Sequence, residues 1–268
     1  MVISAQPDPS PDPPVLTAVG PRRRTSGVPA ALRPSALPWW AELGALFALY
    51  QAFEFVRSIV SGKAGPARHN TRHVVHLERL VHVFWEHGLN RFVGDHPLLS
   101  QAMDIYYGVA HFLVPPLVLL WLWHLHPGRY RRWRNALIVM SLIGLALFAL
   151  YPMAPPRLTV DFGHFIDTSV RFGGLGPLDR GNFVDTNPFA AMPSLHFGWA
   201  LWCALAVISA GTRRVRVVAL LHPAVTLMVI IGTGNHWILD AAAGALILAA
   251  VVLALPGPHP RTSRTGYP

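Results

Sequence analysis

The sequence predicts an all-α fold, a polytopic membrane helical bundle of about six transmembrane helices. Three observations predict it. Hydrophobic residues make up 52% of the chain and charged residues only 13%, where soluble chains carry about 25% charged residues. The mean hydropathy is positive, at +0.38. The apolar residues also fall into separate runs near the roughly 20 residues that a helix needs to cross a bilayer.

In chain order, residues 1–38 are rich in Pro, Ser and Ala, with Arg22, Arg23 and Arg24 at their centre. No apolar core follows a basic start, so the segment reads as a disordered cytoplasmic tail and not as a cleavable signal. Residues 39–255 read as one membrane-embedded domain with six candidate spans: Trp39–Ile59, Ile105–Trp123, Ala136–Tyr151, Met192–Ala210, Val217–Gly234 and Trp237–Leu255. The third is short and is expected to extend into its flanks. Glu42 and Glu54 in the first are costly in lipid and are expected to face the bundle or sit near its ends. Residues 256–268 read as a second disordered tail. Cys203, the one cysteine, lies in an apolar run, so no intramolecular disulfide can form.

The formal charge of +9 reads as arginine clusters beside lipid headgroups, with no nucleic-acid partner implied. The turn after the second span reads HPGRYRRWRN and the turn after the fourth reads GTRRVR. The positive-inside rule puts both in the cytoplasm, and with six spans both termini lie there too. This is the layout of a multi-pass cell-membrane protein. Residues Arg57 to Gln101 would then lie outside. Leu77, Leu80, Val81 and Phe84 set against His76, Arg79 and His82 suggest a helix lying in the interface.

That orientation gathers YPMAPPRL, AAMPSLHFGWA and GTGNHWILDAAAG at the outer face. His236 and Asp240 are four residues apart, on one face of a helix. A carboxylate there can fix the imidazole tautomer and leave the other nitrogen as a nucleophile. Gly244 continues that face and, with Ala241, would admit another helix closely. His196 follows Pro193 and Ser194 at a helix start whose unpaired amides form an anion site. His196 could there protonate a leaving alkoxide. The Arg157 guanidinium after Pro155 and Pro156 offers a planar fork for phosphate oxygens. Ser194, Arg171 and Arg180 complete the candidate substrate-binding set.

Plainer readings exist for each. A histidine in a membrane helix often just bonds a carbonyl, as His111 or His222 could, and Arg171 and Arg180 could be solvated loop charges. His69, His73 and His76 could line one helical face as zinc ligands, but no acidic or cysteine partner completes the set. At the main cluster Arg157 would repel a cation, so neither a metal nor a cofactor is expected.

Taken together, PPR, MPSLH and NHWxxDxxxG resemble the three-motif signature of the type 2 phosphatidic acid phosphatase superfamily. The PPR and PSLH forms are similar to its inositol phosphorylceramide synthase-like, inositolphosphotransferase branch. The resemblance implies a metal-independent lipid phosphatase or phosphotransferase. It makes His236 the nucleophile that forms a phosphohistidine, Asp240 its orienting partner, His196 the acid and base, and Arg157 the phosphate ligand. Tyr107 and His111 match a Tyr-xxx-His pair of that branch, with no role assigned. Two departures stand out: Val229 and Ile230 occupy the positions of the superfamily's Ser-Arg pair, and the lysine upstream of Arg157 is missing. The competing expectations are a membrane transporter that relays ions through buried His and Asp, and a structural scaffold. The lipid headgroup, the acceptor and the oligomeric state are not read from the sequence.

Overall fold

The computed structural model describes residues 64–172 and 189–256, with isolated helical positions at 40, 44, 47, 48, 51 and 55. The two tails (save residue 256), most of the first candidate span, and Arg180 lie outside the described residues. Among the described residues the fold is all-α, with eight helices. They are α1 (Ala64–Leu80), α2 (Glu86–Gly94), α3 (Pro97–Leu125), α4 (Pro127–Leu150), α5 (Thr168–Phe172), α6 (Leu195–Ala210), α7 (Arg213–Gly232) and α8 (Ile238–Ala254). Two single-turn 3₁₀ segments, Pro156–Leu158 and Val160–Phe162, follow α4.

By length and composition α3, α4 and α7 are able to cross a membrane, and α6 and α8 are shorter apolar helices. Proline opens both α3 and α4, at Pro97 and Pro127, where its missing N–H is one of the helix's unpaired donors in any case. The basic stretches expected as turns are helical. Arg129, Arg131, Arg132 and Arg134 lie in the first turns of α4, and Arg213, Arg214 and Arg216 open α7. Arginine is a good helix former, so the chain reverses within His126 and within Gly211–Thr212.

The segment expected as one interfacial helix is two helices folded onto the bundle. Ala67, Thr71, Val74, Val75 and Glu78 form the buried face of α1. Leu77, Leu80 and Val81 point away and are 48%, 60% and 52% exposed. α1 ends with His82 in the left-handed region, φ 59. The Val83 and His82 amides close back on the carbonyls of Glu78 and Arg79 at 3.0 and 3.3 Å, the Schellman pattern. That reversal delivers α2.

The core lies between α3, α4, α6 and α8, around Leu122, Trp133, Met140, Trp202 and Leu248. Indole donors fasten α4 to α6: Trp199 to the Ser141 hydroxyl at 3.0 Å, Trp133 to Ser209 at 2.9 Å, and Trp202 to the Trp133 carbonyl at 2.9 Å. Such bonds matter where lipid supplies no hydrophobic drive between helices. Close approach of α6 and α8 needs glycine. A Cβ on Gly244 would run into the Ser194 carbonyl oxygen, and one on Gly198 would meet the Met140 methyl at 2.6 Å.

The carbonyl at Gly244 belongs to the backbone and cannot rotate aside. Gly244→Ala should therefore lower stability by about 1–3 kcal/mol. Gly128→Ala, where a Cβ meets nothing within 4 Å, should be neutral or stabilising. Thermal unfolding of both purified variants in detergent checks the contrast.

Candidate active site

The three motif stretches converge at one end of the bundle, held by α1 and by short backbone links. Met153 donates to the Phe189 carbonyl at 2.8 Å and accepts from the Ala191 amide at 3.2 Å. From α1, Asn70 donates to the Pro152 carbonyl at 2.9 Å, and the Thr71 hydroxyl accepts the Ala154 amide at 3.0 Å. The Arg157 amide then reaches the Gly234 carbonyl at 3.0 Å. Gly234 has φ 71, a turn that favours glycine. Past it, Asn235 and His236 both donate backbone N–H groups to the Ile230 carbonyl.

His236 is 3% exposed. Its Nδ1 lies 2.9 Å from the Ala191 carbonyl oxygen. A carbonyl only accepts, so Nδ1 carries the proton and Nε2 keeps a free lone pair. The sequence reading gave that proton to Asp240. Its Oδ2 does approach Nδ1, at 3.4 Å, but makes its shorter bond, 2.8 Å, to the Trp237 amide. Burial, offset by the bond to Ala191 and reinforced by the Arg157 charge, lowers the His236 pKa to about 4.

His236 Nε2 faces His196 Nδ1 across 3.4 Å. Since Nε2 offers a lone pair, a bond across that gap needs the proton on His196 Nδ1. The two ring centroids are 5.4 Å apart. Two groups of α3 clamp the His196 ring: Tyr107 stacks on it at 4.2 Å and 19°, and His111 meets it edge-on at 4.2 Å. His111 Nδ1 also sits 2.7 Å from the Tyr107 carbonyl, the plain role open to it, but its ring has a second use here. His196 Nε2 is buried and has no partner among the described residues.

Arg157 is anchored at two points, Nε to Asn235 Oδ1 at 2.9 Å and Nη1 to Asp167 Oδ2 at 3.0 Å. Neither partner was singled out in the sequence. Asn235 could have been, as the neighbour of His236, whereas Asp167 sits in a loop with no pattern. Burial pushes the Asp167 carboxyl up. The Arg157 charge and bonds from Ser169, Arg157 and Val170 outweigh it and hold the pKa below the usual aspartate range.

Ser194 is fully buried as the N-cap of α6, and its hydroxyl accepts the Phe197 amide at 3.3 Å. Its own amide donates to the Asp240 carbonyl at 2.9 Å. Arg171 is exposed on α5. Val229 and Ile230 are buried, and Ile230 packs in an apolar cluster with Ile231 and Ala241. On α1, His69 and His73 are exposed with Nε2 atoms 3.0 Å apart. Among the described residues no group of three or more His, Cys, Asp or Glu is placed to hold a metal ion.

These contacts make His236 a neutral, Nδ1-protonated imidazole at all ordinary pH. Nitrogen-15 NMR of histidine-labelled protein should show that tautomer and no His236 titration between about pH 5 and 8, because its folded pKa lies below that window. A His236 resonance titrating near the ordinary histidine value would contradict the geometry.

A family model described as PAP2 superfamily matches residues 72–254, from α1 to the end of α8. No curated protein and no solved structure matches the chain. The matched segment covers more than half of the sequence and contains Arg157, His196, His236 and Asp240. The chain belongs to the PAP2 superfamily, whose members are generally metal-independent phosphatases acting on phosphate esters.

Proposed function

We propose that this protein is an integral membrane lipid phosphatase or phosphotransferase that works through a phosphohistidine at His236. The observation that carries the reading is the facing pair, His236 Nε2 and His196 Nδ1 at 3.4 Å, beside an Arg157 fixed by Asn235 and Asp167. A lone pair and a hydrogen-bonding imidazole face each other near a fixed guanidinium, the parts that phosphoryl transfer needs.

In the reaction, Nε2 of His236 attacks phosphorus and forms the N–P bond while the P–O bond to the lipid alcohol breaks. His196, protonated, gives its proton to the departing alkoxide. The neutral His196 then takes a proton from the acceptor as its oxygen attacks phosphorus, which releases His236. Water as acceptor gives a phosphatase. An inositol or other lipid hydroxyl gives a phosphotransferase, as in the synthase-like branch that the PPR and PSLH motifs resemble. Asp240 holds the turn that carries His236 and supports the charge that develops on its ring. Arg157 meets the phosphate through Nη2, the guanidinium nitrogen without a partner among the described residues. The amides of Leu195 and His196 at the start of α6 are equally open to an anion. Ser194 serves this site through the cap, and Arg171, on α5, and Arg180 add positive charge for the substrate.

The same reading takes the chain as six spans with the site at the outer face and both termini in the cytoplasm. A transporter would need ionisable groups spread through the bundle. Instead Tyr106, His222 and Thr226, the polar set between α3 and α7, bond to each other: the Tyr106 hydroxyl lies 2.7 Å from His222 Nδ1 and 3.0 Å from the Thr226 hydroxyl.

Purified protein in detergent should turn over a lipid phosphate from a panel of phosphatidic acids, isoprenoid phosphates and phosphoinositides, releasing phosphate or forming a new phospholipid. His236→Ala should abolish turnover. Arg157→Lys keeps the charge but loses the fork, and should cost about 10²–10³-fold in kcat/KM. Turnover that survives His236→Ala would sink the proposal.

A further inference from the structure

The first turn of α8 is capped in an unusual way. Three successive backbone N–H groups each end on a carboxyl oxygen. Trp237 donates to Asp240 Oδ2 at 2.8 Å, Ile238 to Glu86 Oε1 at 3.1 Å, and Leu239 to Glu78 Oε1 at 2.8 Å. Asp240 belongs to α8, but Glu86 opens α2 and Glu78 stands near the end of α1. All three side chains are fully buried. Their second oxygens, Glu78 Oε2, Glu86 Oε2 and Asp240 Oδ1, have no partner among the described residues.

Helix N-termini are usually capped by one local Ser, Thr, Asp or Asn. A hydroxyl at the N-cap would satisfy one of these amides without bringing a carboxyl out of water, a step that costs several kcal/mol per ionised group. Here the N-cap is Trp237, whose indole is spent on the Ala154 carbonyl at 3.0 Å, next to the PPR stretch. Phe84, between the two glutamates in sequence, stacks on that indole with centroids 6.1 Å apart. The whole arrangement converges on the three residues that follow His236.

We propose that Glu78 and Glu86 are positioning residues for phosphoryl transfer: by capping the first turn of α8 from α1 and α2, they fix the turn that aims His236 Nε2 at phosphorus. The inference rests on the reading of His236 as nucleophile and assigns the helix pair over the site a part in the reaction. It also gives the site an alkaline limit. Burial pushes the Glu78 carboxyl up to about 9, opposed by the Leu239 amide and reinforced by Glu86 and Asp240. The titratable groups facing it are Glu86 from α2 and Asp240 from α8, with His236 beyond Asp240. Glu78 is therefore an uncharged acid at neutral pH. Losing its proton near pH 9 puts one more negative charge into a pocket of carboxyls and strains the cap.

The test uses the full chain in detergent, with lipid-phosphate turnover and orthovanadate binding as separate readouts. Vanadate mimics phosphoryl in flight and needs an aimed nucleophile but no particular lipid. Glu78→Ala and Glu86→Ala should each lower kcat and vanadate affinity by about 10–100-fold with KM little changed. Glu78→Gln keeps an acceptor for Leu239. It should recover most of that loss and remove the fall in activity that the wild type shows as pH rises through about 9. Alanine variants that melt earlier yet keep kcat and vanadate affinity would reduce the glutamates to a structural cap and overturn the proposal. So would a Glu78→Gln variant as damaged as Glu78→Ala. If wild type and His236→Ala bind vanadate alike, the nucleophile reading itself fails, and the positioning role with it.

Discussion

The site depends on one backbone contact, between the start of α6 and the first turns of α8. The Ser194 amide donates to the Asp240 carbonyl at 2.9 Å, and Gly244, one turn further along α8, leaves room for the Ser194 carbonyl. His196 lies two residues past Ser194, and His236 lies four before Asp240. Setting Ser194 against α8 therefore sets one imidazole against the other. In an apolar surrounding a backbone donor without a partner costs several kcal/mol, so the link resists slipping. α4 reinforces it from behind, where Leu195 fills the space left by Gly144.

The two helix starts at the site are electrostatically opposite. Both α6 and α8 begin beside it, and an uncapped helix start could in principle take an anion. On α8, the amides of Trp237, Ile238 and Leu239 are already bonded to Asp240, Glu86 and Glu78. On α6, Ser194 takes only the Phe197 amide. On the proposed reading the phosphate therefore takes the open start of α6, beside His196. On that reading the closed helix holds the attacking group, and the open one receives the substrate.

The features legible in the sequence were those with local causes. α8 spans Ile238–Ala254 where the apolar run ends one residue further on each side, and the i,i+4 spacing of His236 and Asp240 puts them near each other. Gly244 was readable as a point of close approach. The basic stretches misled because charge marks the end of an apolar run but says nothing of whether the helix continues through it, as it does from Pro127 and Arg213. On α1 the exposed apolar side was legible, while the buried stripe through Thr71 and Glu78 was not. The partners that finish the site were out of reach for a different reason. Asn70 meets Pro152, Asn90 meets Ile166 and Gly232, and Glu78 meets Leu239. Each is a side chain bound to backbone 76 to 161 residues away, and no periodicity records such a pair.

The resting distance between the imidazoles bears on which of them moves. A phosphorus under attack starts about 3–3.5 Å from the nucleophile with the leaving oxygen on its far side. That arrangement does not fit between nitrogens 3.4 Å apart, so in the proposed reaction an in-line phosphoryl group parts the rings. His236 is tied by the Ala191 carbonyl, a glycine turn and a capped helix. His196 is held mainly by ring faces, those of Tyr107 and His111, contacts worth about 0.5–1.5 kcal/mol each beyond burial and tolerant of sliding. In the proposed reaction His196 is therefore the partner that gives way. This division suits the chemistry: an attacking nitrogen must be aimed before the bond forms, while a proton donor must follow an oxygen as it leaves.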